Sequence, residues 1–267
     1  MSVPYAELIG DPIEHSKSPL IHGFWLKKLG LAGAYRALRV TAAELPDYFA
    51  RRRADPAWRG CNVTMPLKEL VARELDDVDP LARRIGAVNA VHRRGEHLLG
   101  LNTDRAGLNL ALGDRTADGD VVLVGAGGAA RAAMEELRRA RPRRLVVMNR
   151  TVEKAEALLA EFGCAGEARP IGPAPAADLL INASAMGMAG HPPLDIDLSA
   201  MRPGGAVLDM VYHPLDTALL RNARAAGLDA IDGLAMLIGQ ARFSFALFYG
   251  AEPPGAHDAE LRELVTS

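Results

Sequence analysis

The chain has 267 residues, 49 % of them hydrophobic, enough to build one large or two modest cores. Its 31 Lys and Arg against 33 Asp and Glu give a net charge of −2, which removes the electrostatic case for a nucleic acid or a membrane surface as partner. Cys61 and Cys164 are too few for a disulfide framework, the seven histidines lack metal-ligand spacing, and no apolar run reaches bilayer length, so the expectation is a cytosolic protein without a metal.

Tyr5 to Gly10 reads as a first strand, broken at Asp11-Pro12. Ser16 and Ser18 then stand two apart before a helix that Pro19 can start, a place where hydroxyls and main-chain N–H groups either cap the helix or hold a carboxylate. Leu20, Phe24, Leu26 and Leu29 make that helix amphipathic, with His22 and Trp25 as packing residues. Ala34 to Val40 alternates as a strand, and Ala43 to Arg53 reads as a helix. A strand ends near Thr64, Pro66 forbids its continuation, and Lys68 begins a helix to about Glu74. A cation is disfavoured at a helix start, so Lys68 is either a solvated lysine or an acid/base group. Gly86 to Asn89 leads into a hairpin through Arg94-Gly95-Glu96, and Asp104, after Asn102-Thr103, is a helix N-cap or a ligand-facing carboxylate. A polar linker, Asp114 to Asp118, follows.

Val121 to Val124 is a buried-type strand, Ala129 to Leu137 a helix, and Gly125, Gly127 and Ala130 between and within them fit G-x-G-x-x-G/A. The first glycine makes the tight turn, the second lets a pyrophosphate approach, and the small third residue lets helix and strand pack closely. The run Arg138, Arg139, Arg141, Arg143 and Arg144 reads as a solvated helix end. After the next strand, Leu145 to Met148, an NAD site would place Asp or Glu; this chain has Asn149-Arg150-Thr151 and then Lys154, a basic set suited to the 2′-phosphate of NADP. The other reading is a cap by Thr151 with Arg150 in solvent. Residues 163 to 176 read as a variable stretch; Leu179 to Ile181, Ala206 to Tyr212 and Asp229 to Ile231 read as strands, with a helix over 215 to 226. Strands alternating with helices predict a parallel, doubly wound sheet with ligand-facing loops at the strand ends, where Asn182, Ser184, Met210 and Tyr212 fall. Asp232-Gly233 opens a last apolar helix to Phe248 on which Gln240 is the polar exception, and 252 to 267 is a loosely held tail or terminal helix.

In this order the motifs I-G-D-P-I-x-H-S-x-S-P, N-V-T-x-P-x-K, G-A-V-N, G-x-N-T-D, G-A-G-G-A-x-R, N-R-T, D-x-V-Y-x-P and D-G-x-x-M-L-x-x-Q-A resemble the shikimate dehydrogenase family from about Leu8 to Phe248. The resemblance implies two α/β domains with a cleft between them: a substrate domain, 1–103 completed by 238–267, and a Rossmann-like NADP domain, 104–237. It implies reversible NADP-dependent reduction of 3-dehydroshikimate to shikimate, with Lys68 and Asp104 as the catalytic pair. Ser16 and Ser18 would bind the carboxylate, Thr64, Asn89 and Gln240 ring hydroxyls, and Tyr212 would complete the pocket. Gly125, Gly127, Gly128, Ala129, Asn149, Arg150, Thr151, Lys154, Ser184, Met210 and Gly233 would hold NADP. Three departures stand out: Ser184-Ala185 where the family usually has Thr-Ser, Arg105 after Asp104, and His213 after Tyr212. Competing readings are a quinate/shikimate paralogue, a non-catalytic nucleotide sensor and a reductase of an unrelated carbonyl; oligomeric state, a homodimer included, is left open.

Overall fold

The computed structural model describes residues 3–14, 16–116 and 119–266, so His15 and the end of the polar linker fall outside it. The chain divides into two compact units, Met1–Thr103 with Gln240–Ser267, and Asp104–Gly239.

In the first unit, β1 (Tyr5–Gly10), β2 (Ala34–Arg39), β3 (Trp58–Val63), β4 (Asp77–Val78), β5 (Ala90–Arg94) and β6 (His97–Leu101) form a sheet ordered β2-β1-β3-β5-β6-β4. It is mixed rather than parallel: β1 runs parallel to β2 and β3, and β5 antiparallel to β3 and β6, because Gly95 closes a tight β5–β6 hairpin. Every residue of β1 is buried, Glu7 included, because Arg36, Arg52 and the Tyr48 hydroxyl satisfy its carboxylate. Helices α1 (Ser18–Leu29), α2 (Leu45–Arg53) and α3 (Pro80–Ile85) each carry a proline in the first turn, where no intrahelical N–H is needed.

One expectation here fails. Residues 64 to 70 form turns, and only Val71–Glu74 winds up, as a short 3₁₀ turn, so Lys68 does not start a helix and the dipole argument for its role lapses. Its main chain is fixed instead by Val88, whose N–H donates to the Lys68 carbonyl (2.8 Å).

In the second unit, α4 (Asp104–Leu112) precedes β7 (Asp120–Val124), α5 (Gly128–Ala140), β8 (Arg144–Met148), α6 (Val152–Phe162), β9 (Glu167–Arg169), β10 (Leu179–Asn182), β11 (Ala206–Asp209), α7 (Ala218–Ala225) and β12 (Asp229–Ile231). All pairs are parallel in the order β12-β11-β10-β7-β8-β9, the doubly wound order whose direction reverses between β7 and β10. Apolar clusters cover both faces, so β7 and β10 are buried throughout. The stretch 163 to 176 contributes the edge strand β9. β11 stops at Asp209, not Tyr212, because the Asp209 carboxylate accepts from Val211 N–H (3.0 Å) and turns the chain out of the sheet. The arginine run is not simply solvated: Arg138 pairs with Glu135, Arg143 with Asp120 and Arg144 with Glu167.

Helix α8 (Gly233–Tyr249) crosses the boundary between the units. Its Met236 joins the Leu108 and Leu112 cluster of the second unit, and Gly239 admits α4 so closely that an added Cβ would lie 3.0 Å from Gly107 Cα. Further along, Phe245 meets Trp25, and Phe248 packs with Ala6, Leu8 and Tyr35 in the first unit. The tail ends in α9 (Asp258–Thr266), with Leu261 and Val265 buried and Glu260 paired to Lys28.

Candidate active site

At the switch point of the second sheet, Gly125 has φ +112°, and an added Cβ would lie 2.9 Å from the carbonyl carbon and oxygen of Ala183. Only glycine fits there, which brings the β7 and β10 ends together. Gly127 differs: its φ of −97° suits any residue, and a Cβ would meet nothing within 4 Å. Protein packing therefore gives no reason for this glycine, whereas a ligand approaching the backbone would. Gly128 and Ala129 begin α5, whose first turn carries no acidic residue and whose N-terminus offers N–H groups to an anion; Ala130 is buried.

After β8, Asn149 is held by its N–H on the Arg169 carbonyl (3.0 Å) and its Nδ2 on the Thr151 carbonyl (2.8 Å). Thr151 occupies the N-cap of α6 but its hydroxyl makes no capping bond, so the capping reading holds for position and not for chemistry. Arg150, Thr151 and Lys154 are exposed side by side, two cations and a hydroxyl. This donor set fits a 2′-phosphate, and the open approach at Gly127 fits a pyrophosphate.

The β10 and β11 ends are bound together. Asp209 is fully buried and accepts from Asn182 Nδ2 (2.9 Å) and from the Thr217 hydroxyl (2.7 Å) that caps α7; burial pushes its carboxyl up. Asn182 Oδ1 in turn accepts from the Ser184 hydroxyl (2.7 Å), which takes the Met186 N–H (3.2 Å). Ser184 is thus committed to shaping its own turn. Met210 packs where Gly233 must be glycine, since a Cβ there would lie 2.5 Å from the Met210 carbonyl oxygen. Tyr212 follows, half-buried, beyond the strand end. Arg105 turns to Glu136 (2.7 Å), an α4–α5 tie within the second unit.

In the first unit, the structure gathers a cluster of buried polar groups that the sequence reveals only in part. Asn89 Nδ2 donates to the Thr103 hydroxyl (3.0 Å), Thr103 lies 3.3 Å from Gln240 Oε1 and 3.5 Å from Ser244 Oγ, and Asn62 Nδ2 donates to Ser244 (2.7 Å). Asn62 and Thr103 fall within the N-V-T and N-T-D motifs but without a role of their own there. Nothing in the sequence marks Ser244, or Tyr35, whose hydroxyl donates to Asn62 Oδ1 (2.8 Å), and Gln240 is not the polar exception on α8, since Ser244 one turn on is fully buried. The one signal available is the i, i+4 spacing of Gln240 and Ser244.

Ser16 and Ser18 resolve their two readings unevenly. Ser16 Oγ accepts the Ser18 N–H (3.2 Å), a local turn bond, while the N-cap position itself belongs to Lys17, which makes no capping bond. Thr64 lies against Gly10, where an added Cβ would approach the Met65 carbonyl to 2.9 Å, so the β1 and β3 ends meet closely beside it. Asp104 is buried at the first position of α4.

Strand order, glycine turn and basic turn together define a dinucleotide-binding α/β protein of the doubly wound kind. A family model described as the shikimate dehydrogenase substrate binding domain matches residues 8–91, and one described as shikimate / quinate 5-dehydrogenase matches 109–185. Among curated proteins, the shikimate dehydrogenase (NADP(+)) of Sphingopyxis alaskensis is 51 % identical over 99 % of this chain and 97 % of its own length. Among solved structures, shikimate 5-dehydrogenase from Thermus thermophilus, in complex with NADP(H) and shikimate, is 38 % identical, covers 98 % of both chains and superposes with a TM-score of 0.85. The ligand-free 5-ketofructose reductase of a Gluconobacter strain superposes with a TM-score of 0.86 at 30 % identity, over 98 % of this chain and 99 % of its own. The chain belongs to the shikimate dehydrogenase family.

Proposed function

We propose that this chain is an NADP-dependent shikimate dehydrogenase, reversibly reducing 3-dehydroshikimate to shikimate on the route to chorismate and the aromatic amino acids. The observation that carries the reading is 51 % identity along essentially the whole chain to an NADP-dependent shikimate dehydrogenase, with Lys68, Asp104 and the basic turn 149–154 all in place. NADPH, held by Gly125, Gly127, Gly128, Ala129, Asn149, Arg150, Thr151 and Lys154 with Ser184, Met210 and Gly233, supplies a hydride when bound.

The chain's own groups do the rest. Ser16 and Ser18 take the substrate carboxylate; Thr64, Asn89 and Gln240 take ring hydroxyls; Tyr212 completes the pocket. Lys68 gives a proton, or a hydrogen bond, to the ketone oxygen as it becomes an alkoxide, and Asp104 orients the lysine and the neighbouring hydroxyl. Among the described residues no helix is long and apolar enough to cross a membrane, and the cytoplasm is the proposed location. A homodimer is the proposed assembly, to be read by light scattering.

The test compares wild type with Lys68→Ala on shikimate or quinate with NADP⁺ or NAD⁺. The reading expects turnover of shikimate with NADP⁺ that falls about 10²–10⁴-fold in the folded variant. Preference for quinate or NAD⁺ makes the chain a paralogue, and no turnover with any pair makes it a sensor.

A further inference from the structure

A primary amide has a donor prong and an acceptor prong, so what Asn89 or Gln240 can do for a ligand depends on which way round it is held. In the first unit both orientations trace back to main-chain groups, whose polarity cannot reverse. The Thr103 N–H donates to Asn89 Oδ1 (2.7 Å), which sets Asn89 Nδ2 on the Thr103 hydroxyl. The Asn89 carbonyl accepts from Asn62 Nδ2 (3.2 Å), which leaves Asn62 Oδ1 for the Tyr35 hydroxyl (2.8 Å). Asn62 Nδ2 also donates to Ser244, so Ser244 sends its own proton to the Gln240 carbonyl (3.2 Å), one turn back.

The Thr103 hydroxyl, having accepted from Asn89, must donate. Asn89 Oδ1 and Gln240 Oε1 lie 3.3 Å away and Ser244 Oγ 3.5 Å; Asn89 Oδ1 also holds the Thr103 N–H, and Ser244 Oγ the Asn62 amide. In this geometry Gln240 turns its carbonyl to the Thr103 hydroxyl and carries N–H on its other prong. Tyr35, at the head of this relay, is itself held: His22 stacks on its ring at 3.9 Å and 8°, inside a cage with Trp25, Phe245 and Phe248.

We propose that Tyr35, Asn62 and Ser244 are positioning residues for substrate recognition: Ser244 Oγ lies 3.5 Å from the Thr103 hydroxyl, and the three brace Thr103 where it holds Gln240, so that Gln240 meets a substrate hydroxyl as a donor. The proposal rests on the reading above, in which Gln240 and Asn89 hold ring hydroxyls. Its chemical consequence is selectivity: an oxygen that can accept is admitted at Gln240, and an ammonium or other donor-only group is refused, because an N–H would then face an N–H.

The experiment measures shikimate Kd by titration calorimetry without NADP⁺, and KM for both substrates by initial rates, in wild type, Tyr35→Phe, Thr103→Val and Thr103→Ser. Shikimate binding weakens about 10- to 30-fold in Thr103→Val and about 3- to 10-fold in Tyr35→Phe, as expected for leaving a buried polar group unsatisfied. The KM for NADP⁺ and kcat stay within about twofold, and Thr103→Ser returns to within about threefold of wild type. In a Gln240→Ala background, Tyr35→Phe adds less than about twofold, since the two act on one interaction. Should Thr103→Val fail to fold, Tyr35→Phe, which removes a single oxygen, decides alone. Undiminished shikimate affinity in Tyr35→Phe, a parallel rise in KM for NADP⁺, or additivity with Gln240→Ala overturns the proposal. A wild type that neither binds nor turns over shikimate overturns the underlying reading instead.

Discussion

In the second unit the nucleotide turn is shaped by backbone: Gly125 at positive φ against Ala183, an open Gly127, and a helix N-terminus immediately behind. In the first, the polar groups are placed by side chains bonded to partners 14, 27, 137 and 182 positions away in sequence. Backbone shaping concentrates its constraint in one or two residues, where a single Cβ is either fatal or harmless. The side-chain relay spreads it over many, each of modest weight.

The contrast breaks first at Gly125. Gly125→Ala combines a positive φ with carbonyl atoms at 2.9 Å, and the expected cost is about 3 kcal/mol, read as a lower Tm. Next comes His22, under the relay. Burial pushes its imidazole from 6.5 down to about 3, and both ring nitrogens lack hydrogen-bond partners among the described residues. The unfolded chain takes up that proton first, so the stability His22 contributes is complete above 6.5 and drains away as pH falls towards 3, by up to about 1.4 kcal/mol per pH unit. His22→Phe removes this dependence; urea unfolding at pH 7 and pH 4.5 should show wild type losing about 2.5 kcal/mol more than the variant. Third, Arg150→Ala should raise the KM for NADP⁺ about 10- to 100-fold and change that for NAD⁺ far less, if, as proposed, the guanidinium pairs with the 2′-phosphate that NAD⁺ lacks. The smallest effect sharpens the comparison most. Gly127→Ala should leave Tm unaltered and raise the KM for NADP⁺ about tenfold, since its Cβ clashes with nothing in the protein and only with an approaching ligand.

The same contrast explains what could be read in advance. The glycine turn, the basic turn after β8 and strands such as β1 and β12 depend on neighbours in sequence, and periodicity and turn chemistry report neighbours. Asn182 and Ser184 are legible as strand-end residues, but not the buried Asp209 carboxylate that fixes them, because that pairing is made across the sheet. Ser244 looks like an ordinary helix residue among apolar ones; only the distant Asn62 makes it polar in function. Lys68 stands out in the sequence for a reason the fold does not uphold, a helix start that is in fact a run of turns. Edge strand β9, three residues long in a Gly/Ala/Pro-rich stretch, carries too little pattern to be seen without its partner β8.

Helix α8 passes from one unit into the other, and with it comes an order of synthesis. A ribosome that has released residue 239 has delivered every strand of the second sheet, whereas the first sheet still lacks Phe245 and Phe248 beneath it and Ser244 beside Asn62. The half of the protein made first is therefore the half finished last: nascent first-unit strands wait through some 136 codons, the length of Asp104–Gly239, with an apolar face uncovered, and it is this interval that a chaperone would have to guard.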